Sequence, residues 1–200
     1  ARHGVVVMLS VGRIPYINCY PVYGGIDRGV VPMDGALVDG IPTTLNRLMA
    51  AGQLDVSVVS AVEYARDATR YLLLPELGIT SDGPVRSVML FSRRDPATLG
   101  GARVLVSRSS MTSVALLELL FENVWRCAPE FVAGDAELAD LSRFDDEAHD
   151  ARLVIGDAAL RIADEAQRGG HWAERYPFRI DLGEAWKSWT GLPFVFAVWV

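Results

Sequence analysis

Apolar residues along this chain fall in short runs separated by amphipathic stretches, and this alternation predicts strands and helices in turn. In the first half, residues 5–11, 36–38, 55–59, 71–74 and 85–92 read as strands, with helices over 43–51 and 61–69. Helix 43–51 follows Pro42, stops at Gly52 and lines up Leu45, Leu48 and Met49 on one face. A second set begins after Arg93-Arg94-Asp95-Pro96. It comprises strand 104–107, a long helix from Ser110 to about Asn123, the pair Phe131-Val132, strand 153–155, helix 157–167 stopped by Gly169-Gly170, and helix 182–189. The final run, 193–200, is again a strand. Two such sets, with a crossing near Ser92 and a return near Phe194, predict two α/β lobes: residues 1–92 with 193–200, and residues 93–192. Two hinge strands would join them into a clamshell that takes its ligand in the cleft.

Composition narrows the classes. Half of the 200 residues are hydrophobic, enough for a full core. No run reaches the length of a membrane span, and Ala1-Arg2-His3-Gly4 enters the first strand without a secretory cleavage pattern. The net charge of −6, with Lys187 the only lysine, argues against a nucleic-acid binder. Cys19 and Cys127 lack a C-x-x-C spacing, and His3, His149 and His171 read as surface residues without partners at metal-ligand or triad spacing. A cytoplasmic protein with reduced thiols, no metal and no cofactor is the expectation.

Candidate chemistry gathers where strands end. Gly12-Arg13-Ile14-Pro15-Tyr16-Ile17-Asn18-Cys19-Tyr20-Pro21 follows the first strand with a cation, an amide and two phenols, on a loop stiffened by prolines. Its plainer reading is a turn in which Asn18 caps the next helix. Ser60 closes the strand 55–59 as a donor or as an N-cap. Arg86 and Ser87 enter strand 85–92 side by side, and alternation lets only one of them face a ligand. Ser107-Arg108-Ser109-Ser110-Met111-Thr112-Ser113 opens a long helix with more hydroxyls than a cap requires, which favours a carboxylate at the helix N-terminus. Asp157 opens another helix, either as its cap or facing the ligand. Glu63 and Asp157 are the available general bases, neither with a neighbour in sequence that would tune it.

Taken together, Gly12-Arg-Ile-Pro-Tyr-Ile-Asn18, Leu54-Asp-Val-Ser-Val-Val-Ser60, Ser81-Asp-Gly-Pro-Val-Arg-Ser87, Ser107-Arg-Ser-Ser110, Ile155-Gly-Asp157-Ala and Thr190-Gly-Leu-Pro-Phe-Val-Phe-Ala make a specific pattern. It resembles that of the menaquinone-biosynthesis proteins that act as chorismate dehydratase in the futalosine route. The resemblance implies a two-lobed fold similar to the periplasmic-binding-protein (type II) clamshell, and conversion of chorismate into 3-[(1-carboxyvinyl)oxy]benzoate by loss of water. It also implies that Asn18 and Ser87 are catalytic positions. Arg13, Ser60, Arg86, Ser109, Ser110, Met111, Thr112 and Asp157 would then surround the substrate, with Ser109 to Thr112 holding a carboxylate. Relatives of this kind run on past a segment like 194–200, so a further C-terminal portion of the first lobe is expected. Two alternatives stand beside this reading: a binding protein that captures a small carboxylate without reacting, and the sister 1,4-dihydroxy-6-naphthoate synthase.

Overall fold

In the computed structural model, which describes residues 8–200, the opening strand β1 spans Leu9–Arg13 and so carries Gly12 and Arg13 within it. The expected start of this strand, residues 5–7, and His3 lie outside the described residues. β1 runs parallel to β2 (Gly35–Asp39) on one side and to β3 (Val56–Ser60) on the other. β10 (Phe194–Trp199) joins β3 antiparallel, and β4 (Gly78–Ser81) completes the order β2-β1-β3-β10-β4. Helices α1 (Tyr20–Asp27), α2 (Pro42–Ala50) and α3 (Ala61–Arg66) follow the three parallel strands. Residues 71–74 are not a strand. Leu72 to Leu74 are exposed, and the recorded backbone bond there is Leu74 N–H donating to the Trp199 carbonyl at 2.9 Å. Apolar content without a full ladder partner does not make a strand.

The core of this first unit is Ile14, Cys19, Tyr23, Leu45, Leu54, Val58 and Trp199. Within it the Tyr23 hydroxyl donates to the Gly12 carbonyl and accepts from Trp199 Nε1, each at 2.9 Å, which ties α1 to β1 and β10. Gly12 lies at a close approach of β1 to β3, since a Cβ there would press on the Ser57 and Leu54 side chains.

The second sheet has the order β7-β6-β8-β5-β9, from β5 (Val88–Ser92), β6 (Arg103–Ser107), β7 (Glu130–Gly134), β8 (Ala151–Ile155) and β9 (Phe178–Asp181). β6 is parallel to β7 and β8, whereas β5 is antiparallel to both β8 and β9. Four helices cover it: α4 (Met111–Leu120), α5 (Asp157–Gln167), α6 (His171–Arg175) and α7 (Leu182–Thr190). β5 is buried along its whole length, as a strand covered on both faces must be. One face packs Phe91 and Val154 against Phe144, Ile162, Trp172 and Tyr176.

Contacts divide the chain into residues up to Ile79 with Val195–Val200, and Thr80–Phe194. The expected first crossing at residues 92–96 is therefore corrected. That stretch is a turn within the second unit, where Ser92 Oγ donates to the Arg94 carbonyl at 2.6 Å and Arg94 pairs with Asp150 at 3.1 Å. His149, expected at the surface, is 6% exposed. Its Nδ1 lies 2.6 Å from the Glu147 carbonyl and its Nε2 lies 2.8 Å from the Tyr176 hydroxyl. Burial pulls the imidazole pKa down and pushes the Tyr176 phenol up to about 12.

Candidate active site

The carboxyl ends of β1, β2 and β3 lie on one edge of the first sheet, the edge at which parallel sheets take ligands. Arg13 ends β1, and its guanidinium forks onto Asp39, with Nε–Oδ1 at 2.6 Å and Nη2–Oδ2 at 2.9 Å, while also pairing with Asp27. These hydrogen bonds raise the Arg13 pKa further and lower that of Asp39. Arg13 thus locks β1 to β2 and α1 and has little left for a ligand. Its loop continues through buried Ile14 into a one-turn 3₁₀ helix, Ile17–Cys19. Asn18 rides on that turn, exposed, and its amide has no partner among the described residues. It caps nothing, because the N-cap of α1 is Cys19. The anchor is apolar: Ile14 and Cys19 sink into the core on either side of the exposed residues Pro15 to Asn18.

Ser60 ends β3. Its oxygen accepts from Asn46 Nδ2 at 2.7 Å and from Glu63 N–H at 3.4 Å, and its own N–H donates to Asn46 Oδ1 at 3.1 Å. Ser60 is therefore an N-cap clasped by a buried amide on α2. Glu63 accepts from the Tyr71 hydroxyl at 2.9 Å, which weakens its case as a general base. The sequence reading missed Asn46, although an amide inside an otherwise apolar helix stripe is the signal that marks it.

In the second unit, register brings most of the remaining candidates to one edge. Val88 pairs with Ile155, so Ser87 precedes β5 just where Gly156 and Asp157 follow β8, and Gly156 N–H donates to the Ser87 carbonyl at 2.7 Å. β6 delivers residues 108–112 to the same edge, since it runs parallel to β8. Asp157 opens α5 exposed and makes no capping bond, which corrects the expectation that capping is its safer role. Arg86 is exposed with φ +64°, and the Ser87 hydroxyl reaches only the Val85 carbonyl at 3.4 Å.

The hydroxyl-rich turn is more self-contained than expected. Ser107 Oγ accepts from the N–H groups of Ser109 and Ser110 at 3.0 and 2.9 Å, and so closes the turn itself. Ser109 donates to Glu137 at 2.8 Å, Ser110 donates to Ser113 at 2.9 Å, and Thr112 is buried beside half-buried Met111. The hydroxyls of this turn are thus spent on one another and on Glu137, and what it offers an anion is the N-terminal dipole of the ten-residue helix α4. Asp181, also unforeseen, ends β9 on this edge and accepts backbone hydrogen bonds from Val85, Arg86, Gly183 and Glu184. The run Asp181-Leu-Gly-Glu184 carries the spacing of a capping box, a signal present in the sequence.

Taken separately, the first unit presents the Asn18 amide at the carboxyl edge of its parallel strands, and the second presents Arg86 and Ser87 where β8 ends. A chorismate dehydratase from Thermus thermophilus is 32% identical over 198 residues, covering 92% of this chain and 69% of that protein. A crystal structure of a protein from Archaeoglobus fulgidus superposes with a TM-score of 0.71 at 21% identity, covering 98% of this chain and 68% of the other. The periplasmic aliphatic sulphonate binding protein SsuA from Escherichia coli gives 0.55 at 14%, covering 96% and 64%. The two structures show a two-lobed α/β fold of the binding-protein type, and the chain spans about two thirds of the length of all three proteins. Among the described residues, no helix is long and apolar enough to cross a membrane. The family model for menaquinone biosynthesis matches residues 9–200, so the chain belongs to that family.

Proposed function

We propose that this protein dehydrates chorismate to 3-[(1-carboxyvinyl)oxy]benzoate. The observation that carries the reading is Asn18, an unpartnered amide on a rigid turn at the carboxyl edge of β1, in a chain whose relative is named chorismate dehydratase. Chorismate has two carboxylates and a ring hydroxyl beside the carbon that bears the enolpyruvyl ether. Loss of the proton from that ether carbon supplies the electron pair for the new ring double bond. The neighbouring C–O bond breaks, the departing oxygen leaves as water, and the ring becomes aromatic.

In this reading the base is the substrate's own enolpyruvyl carboxylate, which is carried beside the proton it removes. Asn18 and Ser87 orient that group and stabilise charge as it develops. Arg86 and the start of α4, residues 109–112, receive carboxylate charge, while Ser60 shapes the first-unit edge through Asn46. Asp157 stands beside Ser87 through Gly156 as a negative wall. Arg13 serves as the brace of the Asn18 loop. The free thiols Cys19 and Cys127 support a cytoplasmic setting.

Incubating the purified protein with chorismate and following the mixture by mass spectrometry tests the reading. A product lighter by one water, with the absorbance of a substituted benzoate, is expected. Chorismate bound but recovered unchanged would leave a carboxylate-capture protein instead, and chorismate neither bound nor altered would remove the substrate assignment altogether.

A further inference from the structure

We infer that Asp181 and the first turn of α7 are the positioning device for Ser87, an assignment that rests on reading Ser87 as the charge-stabilising hydroxyl. Ser87 has little of its own to fix it, since its hydroxyl contact is 3.4 Å long and the preceding residue, Arg86, is held at φ +64°. A non-glycine residue stays in that region only when its surroundings hold it there. The holder is Asp181. One carboxylate oxygen accepts from Val85 N–H at 3.1 Å and the other from Arg86 N–H at 2.6 Å. The first oxygen also accepts from Gly183 and Glu184 N–H at 2.9 and 3.1 Å, and the residue is 7% exposed. A helix cap accounts for two of these four donors. The other two belong to a segment about a hundred residues away in sequence.

Two further contacts join α7 to the same segment. A Cβ on Gly183 would lie 2.5 Å from the Gly83 carbonyl and 3.2 Å from Val85 N, so backbone rests on backbone. Lys187, the only lysine in the chain, reaches Asp82 at 2.6 Å. Residues 82–86 are thus held at three points by one helix, and Gly156 holds Ser87 from the opposite side. Displacement at any of these points moves the Ser87 hydroxyl without touching it.

A double-mutant cycle separates positioning from folding. Asp181→Asn replaces an acceptor by an amide that cannot accept from all four donors. It should lower kcat at least tenfold with KM changed less than threefold, and should change kcat less than twofold in a Ser87→Ala background. Gly183→Ala adds a methyl that the helix accepts and the 82–86 segment does not, so it should repeat the pattern in a folded protein. Equal losses in both backgrounds, or full activity of Gly183→Ala, would overturn the assignment. Hydrogen exchange supplies a readout that needs no turnover. Both variants should speed exchange of the Val85 and Arg86 amides while leaving those of β8 unchanged, and unchanged exchange at Val85 and Arg86 also overturns it. Failure of the unaltered protein to convert chorismate would instead sink the dehydratase reading, with the exchange result still deciding what Asp181 holds.

Discussion

Asn18 and Arg13 exchange the roles that their chemistry suggests. The guanidinium is the more obvious anion ligand, yet two aspartates already occupy it, and the modest amide is left open. Asn18→Ala should lower kcat by about a hundredfold, with KM changed far less, as when one donor to developing charge is removed. Steady-state rates on chorismate check this. Of the two readings that the sequence left open for Ser60, donor or N-cap, the cap is the one visible in the fold, because an N-cap is a local matter. Sequence could not assign Arg13, whose partner Asp39 becomes a neighbour only through the pairing of β1 with β2. His149 was misread for a similar reason. Asp145, Asp146, Glu147 and Asp150 make its surroundings look solvated, while Tyr176, far along the chain, buries it. Because burial lowers its pKa below the ordinary 6.5, the unfolded chain takes up a proton first as pH falls. This contribution to stability is complete above about pH 6.5 and is lost on acidification below it, at most about 1.4 kcal/mol per pH unit. Melting temperatures should therefore fall between pH 7.5 and pH 5.5, and His149→Gln should flatten that fall.

At the scale of elements, helices with a clear stripe and punctuation were legible: α5 matches its expected bounds, and α2, Pro42–Ala50, lies one residue ahead of the expected 43–51 at each end. Strands were less so. β4 hides among Gly78, Gly83 and Pro84, and β9 and α6 are too short to show a period. Conversely, residues 71–74 have strand composition and lack a ladder. The join between α1, β1 and β10 depends on Tyr23, which composition cannot single out. Tyr23→Phe removes the donor to the Gly12 carbonyl and the acceptor of Trp199 Nε1, both buried. A loss of about 1–3 kcal/mol is expected, read as a lower denaturant midpoint at unchanged slope.

For the whole molecule, alternation of strands and helices was enough to predict two α/β sets, each with its own sheet. The outward crossing was placed too late because Arg93-Arg94-Asp95-Pro96 has the composition of a linker, whereas its charges are spent on Asp145 and Asp150 inside the second unit. Composition registers charge but not where charge is neutralised. Each unit has its own core, so each can loosen on its own timescale. Cys19 offers a clock for the first of them. Its thiol is fully buried directly behind Asn18, and burial pushes its pKa up to about 11. At pH 8 only about one thiol in a thousand is ionised. A maleimide dye should therefore modify half-buried Cys127 quickly and Cys19 only when the Asn18 turn lifts away. Saturating chorismate should lengthen that second phase, while equal rates with and without it would mean that the turn does not feel the ligand. A cysteine with no part in the chemistry would then time the breathing of the wall in front of it.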